Sequence, residues 1–337
     1  MIKEFASILS DGIGGPVTDK QQEFLAFVSD ATRDLTHLVD DFLDSSKLRA
    51  RTLRVDRRAW SIDELIDSAW PMLEARARSK RIRLERSVAP GLPRVFVDAD
   101  KFRRTLVNLV VNAVKFSPQG EAVTVSAEPE ARGRVRLGVT DRGPGIPEAQ
   151  ARELFQRFQQ GSQGRQTSAK GFGLGLSIAK ELSAINLGEV SVRSALGEGS
   201  VFSFTASADD RRSILSCFLD RTVERAPQGA VALLRVDRGP APVQMDSLRA
   251  LVASVCHATD LQIDGHNGRS IYVLGETLEV DRWRDRLIHE DYERQGEGEA
   301  PHPAPLQVEL LGSWVAPDAY EPIASFVAGP EEKKRCA

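Results

Sequence analysis

Asn108, Asn112 and Lys115 stand at i, i+4 and i+7, so a helix through them would carry two amides and an ammonium on one face. An amide oxygen is a hard, neutral ligand suited to Mg²⁺, which keeps several waters and leans on substrate phosphates for the rest of its shell. Asp141-Arg-Gly143-Pro-Gly145 follows an alternating strand pattern. A carboxylate at a strand end can accept a hydrogen bond from a purine amino group, and glycines let backbone approach the base where a Cβ would collide. Gly171-Phe-Gly173-Leu-Gly175-Leu176 opens a helix-forming run whose free amides and dipole can receive phosphate. Its glycines alternate strictly and no long strand precedes them, unlike a dinucleotide fingerprint. Phe155 and Phe158 lie one turn apart before a polar stretch, Gln159 to Lys170, that reads as a lid. Arg165 or Lys170 could touch phosphate there or serve as surface cations.

Each segment alone has a plainer reading. The amide face could be an ordinary solvated helix surface, Asp-x-Gly-x-Gly is a common turn, and a pair of phenylalanines is usually core. Four segments in this order argue for a nucleotide site. Together they resemble the N, G1, F and G2 boxes of the ATP-binding domain of sensor histidine kinases, a resemblance that covers about residues 1 to 206 and includes Leu196-Gly-Glu-Gly-Ser-Val-Phe-Ser-Phe204. Gyrase, Hsp90, MutL and the anti-sigma-factor kinases share parts of such a site; Asn-Ala-Val-Lys-Phe and a preceding helical hairpin point to the histidine kinase branch.

The resemblance implies ATP and Mg²⁺ as cofactors and Asn112 as metal ligand. Asn108 assists the metal or the phosphates, Lys115 neutralises phosphate charge, and Asp141 reads adenine beside Gly143 and Gly145. Phe155 and Phe158 brace the lid, while Gly171, Gly173, Gly175 and Leu176 line the phosphates. It also implies a response regulator as partner. Ile185-Asn-Leu-Gly188 departs from the family's usual His-Gly-Gly, away from the phosphates.

A larger departure concerns the acceptor. Matching the hairpins places the family's phosphoacceptor His two or three turns before Met1. His37 lies on the second helix without the surrounding motif. The expectation is a chain holding the donor half, either because it begins downstream of the natural start, the simpler explanation, or because it acts on a histidine in another chain. A non-catalytic ATP-binding scaffold and an anti-sigma-factor-like serine kinase are the alternatives.

These segments need a frame. At 337 residues the chain is long for one core, so several domains are expected. Phe24, Val28, Ala31, Leu35, Leu38 and Phe42 form a four-three seam, Ile2, Phe5 and Leu9 a shorter one, and Gly12-Ile-Gly-Gly-Pro16 breaks the chain between them. Two helices cannot enclose their own seams, so half of a dimeric four-helix bundle is expected over 1–54. Thr18 can cap the second helix. Over 55–208, Ser61 to Lys80 reads as a helix with a Ser61/Glu64 capping box. Asp98 caps a helix from Lys101 to Val114, and Arg81 to Arg86, Val123 to Ala127, Val135 to Val139 and Val201 to Thr205 alternate as strands. An α/β sandwich follows, one mixed sheet with helices on one face.

Residues 209–337 read as a small α+β domain. Its helices are Ser213 to Val223, Asp246 to His257 and Glu276 to Glu293, and its strands Ala230 to Val236, Arg269 to Leu274 and Leu306 to Leu311. It is faintly similar to a reduced, catalytically silent GGDEF-type, ferredoxin-like domain with Asn267-Gly268-Arg269-Ser270-Ile271 at the hairpin; an unrelated α+β unit is the equal alternative. The whole is an α+β multidomain protein.

With 41% hydrophobic and 28% charged residues the composition is globular, and a net charge of −3 gives no pull toward nucleic acid or anionic membrane. No apolar run reaches a membrane span and Met1-Ile-Lys-Glu-Phe5 lacks a signal-peptide order, so a cytoplasmic protein is expected. Cys217, Cys256 and Cys336 are too few and too scattered for a disulfide or zinc framework.

Overall fold

In the computed structural model, residues 1–49, 53–151, 154–155, 175–238, 244–276, 280–296 and 305–327 are described. Two helices open the chain, α1 (Ile2–Ser10) and α2 (Asp19–Arg49). Thr18 Oγ1 accepts from Gln21 N while Gln21 Oε1 accepts from Thr18 N, so the second helix starts on a reciprocal cap. Ile2, Phe5, Phe24, Phe27 and Val28 remain exposed on this pair. Along α2, the side chains of Leu35, His37, Leu38 and Phe42 lie outside those described.

β1 (Arg58–Trp60) pairs with β3 (Val95–Val97), and between them run α3 (Ile62–Ser79) and β2 (Arg83–Val88). The Ser61/Glu64 capping box is present at the start of α3. β2 begins two residues later than its alternation suggests, because Arg81 adopts a left-handed turn with φ 56°. Next come α4 (Ala99–Phe116), β4 (Ala122–Glu130), β5 (Arg134–Asp141), a short α5 (Glu148–Ala151), α6 (Gly175–Ile185), β6 (Val190–Ala195) and β7 (Gly199–Ser207). The sheet order is β2-β4-β5-β7-β6, parallel only between β2 and β4.

Alternation decides which face is covered. Val123, Val125, Val135, Leu137, Val139 and Phe202 are buried, whereas Thr124, Arg136 and Thr140 between them are only partly so. Leu65, Ile66, Leu73, Phe102, Leu106 and Leu109 of α3 and α4 join the first set in one core. Phe102 meets Phe204 edge to face at 5.0 Å.

The remaining elements are α7 (Arg211–Arg225), β8 (Ala230–Asp237), α8 (Met245–Val255), β9 (Leu261–Asp264), β10 (Ser270–Glu276), α9 (Val280–Gly296), β11 (Gln307–Val315) and α10 (Tyr320–Val327). The sheet is antiparallel in the order β11-β8-β10-β9, and β8-α8-β9-β10-α9-β11 is the split-βαβ, ferredoxin-like succession. β8 is apolar from Ala230 to Leu234 because both of its faces are covered there. Val231 and Leu233 pack with α7 and α10, and Leu234 and Val236 pack with α8 and α9.

Candidate functional site

α4 is the wall on which three of the four sequence segments converge. Asp98 starts it, accepting from Lys101 N through Oδ1 at 3.1 Å. Its apolar face enters the sheet core, leaving Asn108, Asn112 and Lys115 partly buried on the other side. Asn108 lies against the start of α6: a Cβ built on Gly175 would stand 3.8 Å from Asn108 Oδ1. Asn108 Nδ2 is itself buried and has no hydrogen-bond partner among the described residues. An orphaned buried amide of this kind costs free energy unless something accepts from it. Lys115 Nζ stands 5.0 Å from the Phe116 ring centroid.

The other end of α4 meets the Asp141 loop. A Cβ on Gly143 would come within 3.1 Å of the Phe116 carbonyl oxygen and 2.9 Å of Asp141 Oδ1. Asp141 is 4% exposed, and its Oδ1 accepts from Gly143 N at 2.8 Å. Burial pushes its carboxyl above the usual carboxylate range, while the hydrogen bonds from Gly143 and Ser200 pull the other way. Gly145, at φ +72°, lies directly under the Ala195 carbonyl. Gly197 N donating to Pro144 O at 2.8 Å and Ile146 N to Ser194 Oγ at 2.8 Å fasten the loop to the β6–β7 turn.

Phe155 is partly buried and stands edge-on to Phe202, ring centroids 6.5 Å apart, which makes it part of the core edge next to the site. Leu176 packs against the same core from α6. Phe158, Gly171, Gly173 and the segment with Arg165 and Lys170 lie outside the described residues. Cys217 and Cys256 are buried free thiols, and among the described residues no three His, Cys, Asp or Glu side chains cluster as a metal site.

Two residues that hold the site were not legible as such. Asn186, in the segment that departs from the family, is 3% exposed; its Oδ1 accepts from Asp98 N at 2.8 Å and its Nδ2 donates to Asp98 O at 3.2 Å. It thereby ties the end of α6 to the start of α4, and the two helices run antiparallel. Arg57, inside a charged linker, donates to Ile185 O from Nε at 2.8 Å and from Nη2 at 2.5 Å. In the sequence such residues look like solvated side chains, because their partners are backbone atoms far away in the chain.

Residues 97–210 match the family model described as histidine kinase-, DNA gyrase B-, and HSP90-like ATPase. The adaptive-response sensory kinase SasA of Synechococcus elongatus is 32% identical over 173 residues, 51% of this chain and 44% of the relative. The circadian input-output histidine kinase CikA of the same organism is 32% identical over 241 residues, covering 70% of this chain and 31% of the relative. The histidine protein kinase DivJ of Caulobacter vibrioides is 30% identical over 202 residues, 60% and 34% respectively. Among solved structures, full-length ShkA in complex with AMPPNP aligns at 28% identity and a TM-score of 0.48, covering 64% of this chain and 49% of that one. The chain spans less than half the length of these curated relatives. Residues 97–210 are thus similar to the ATPase domain of that family, and the relatives that match are sensor histidine kinases. Among the described residues, no helix is long and apolar enough to cross a membrane.

Proposed function

We propose that this chain binds Mg-ATP and serves as the phosphoryl donor of a two-component histidine kinase, with residues 1–54 as dimerisation hairpin, 55–208 as nucleotide domain and 209–337 as an accessory unit. The observation that carries the reading is the buried Asn108 amide, its Nδ2 without a hydrogen-bond partner among the described residues, beside Gly175 at the head of α6. It brings the first and fourth sequence segments together at a buried N–H donor. Phosphate oxygens would accept from it.

In this reading Asp141 accepts from the adenine amino group, and the glycines at 143 and 145 keep the loop tight against Phe116 and Ala195. Asn112 presents an amide oxygen to Mg²⁺, Asn108 holds phosphate or metal-bound water, and Lys115 balances charge. Magnesium, when bound, neutralises charge on the transferring phosphoryl group. The residues fit an ion that needs one neutral oxygen and otherwise uses water and phosphate. Gly171, Gly173, Gly175 and Leu176 close the triphosphate side, and Phe155 with Phe158 supports the lid. The protein works as a cytoplasmic dimer through the exposed α1–α2 stripe and serves a response regulator. The acceptor histidine is supplied from outside the residues of this chain.

Incubation with γ-labelled ATP and Mg²⁺, alone and with an acceptor-bearing helical hairpin, tests this. Acid-labile label on the hairpin's histidine is the expected result. Binding without transfer supports a regulatory scaffold instead, and acid-stable label on serine supports an anti-sigma-factor-like kinase.

A further inference from the structure

Arg57 touches three parts of the protein at once. Besides Ile185 O at the end of α6, its Nη2 donates to Ala258 O at 2.7 Å and its Nη1 to Asp260 O at 2.9 Å. Those two carbonyls belong to the turn after α8, which is itself fixed by His257 N donating to Asp260 Oδ2 at 2.7 Å. Removal from water pulls the Arg57 pKa down to about 10, against the attraction of the Asp98 and Asp260 carboxylates. The neighbouring Asp56 N donates to Asp98 Oδ2 at 3.0 Å, at the cap of α4. Two consecutive linker residues therefore hold the far ends of the two helices that meet at Asn108 and Gly175.

An apolar cluster has the same three-part composition. Leu53 and Val55 of the linker, Ile178, Leu182 and Ile185 of α6, and Ala258 of the C-terminal unit are buried together. The unit thus sits on the same helix whose other end opens the phosphate side of the site. From Ile185 back to Gly175 the rise is about 15 Å, one rigid helix long.

We infer that Arg57 is a positioning residue through which the C-terminal unit and the linker jointly set the placement of α6, so that release of the 257–260 turn weakens nucleotide binding. The inference rests on the ATP-site reading above. The C-terminal unit thereby acts on the site through α6 and the linker. The guanidinium reaches these carbonyls from three separate nitrogens held in one plane, whereas the three donors of an ammonium radiate from a single nitrogen.

The test uses the full chain, with backbone amide exchange at α6 and at 257–260 measured alongside affinity for a fluorescent ATP analogue with Mg²⁺. Arg57→Lys is expected to speed exchange at both segments and to weaken binding about three- to tenfold, with exchange in β4 and β5 unchanged. Ala258→Glu, which acts from the C-terminal side alone, is expected to do the same. Local loosening with affinity unchanged in either variant overturns the inference, and if one variant unfolds the other decides. Wild-type chain that binds no nucleotide would instead refute the ATP-site reading itself, a result distinguishable because the wild type alone gives it.

Discussion

A Cβ placed on Gly145 would stand 1.9 Å from the carbonyl oxygen of Ala195, so the Asp141 loop and the β6–β7 turn are in backbone contact at a point only glycine can occupy. Gly145 also takes φ +72°, where an L side chain costs roughly 1–2 kcal/mol even in open space. Gly145→Ala should therefore destabilise the protein by about 3 kcal/mol or more, the clash being with backbone that cannot rotate away. Nucleotide affinity should fall with it. Gly197→Ala is the control: φ is +80° but nothing lies within 4 Å, so only the conformational cost of roughly 1–2 kcal/mol remains. Thermal denaturation of the two variants separates clash from strain.

The buried Asp141 gives a pH dependence of definite sign. Its folded pKa is raised, so the folded state binds the proton more tightly than the unfolded one. Its ionised form then opposes folding at neutral pH, and that cost is relieved as pH falls through the raised folded value. Asp141→Asn should leave the nucleotide-free protein at least as stable as wild type at pH 7. The difference should shrink on acidification, while affinity for an adenine nucleotide drops at every pH. Melting curves across the acidic range and a parallel binding titration check both halves.

Asn112→Asp keeps the size and partial exposure of the side chain, so the fold should change by about 0.5 kcal/mol or less. Metal and phosphate binding should change at least fivefold, roughly 1 kcal/mol, because an anion replaces a neutral oxygen beside the triphosphate. Titration with Mg-ATP, compared with ATP in chelator, reads the effect; equal affinities in variant and wild type would remove Asn112 from the metal site.

Asn186→Ala removes both hydrogen bonds to Asp98 and strands a buried N–H, an expected loss of about 2–3 kcal/mol. Denaturant unfolding measures it. Glu64→Ala at the exposed α3 capping box should cost only about 1 kcal/mol.

The exposed Phe24 and Phe27, at 56% and 62%, carry the dimer proposal. Replacing both by Asp should convert the dimer to monomer in sedimentation while the nucleotide domain melts unchanged. A wild type that sediments as monomer at all concentrations would remove the bundle reading.

What could be read from the residues follows a physical division. Local signals survived: the Ser61/Glu64 box, the Asp98 cap and the alternation of β4 and β5 are each fixed by neighbours in sequence, whereas β7 is buried on both faces. β1 and β3 are three residues each, too short for any alternation to register, and β9 and α10 were likewise missed. The site was legible where chemistry needs fixed spacing on one element, as with Asn108 and Asn112. It was illegible where long-range backbone acceptors define the role. Arg57 sits among Arg54, Asp56 and Arg58 and looks like solvated charge until Ile185, Ala258 and Asp260 are placed around it. Asn186 looked like a harmless departure and is the tie between the site's two helices.

Calorimetric titration of this 337-residue chain with a non-hydrolysable ATP analogue and Mg²⁺ is the most direct test of a nucleotide site between α4, the Asp141 loop and α6. Saturable uptake of one equivalent, weakened in Gly145→Ala and in Asp141→Asn, is the expected result. Folded wild-type protein that releases no heat and takes up no nucleotide would contradict it.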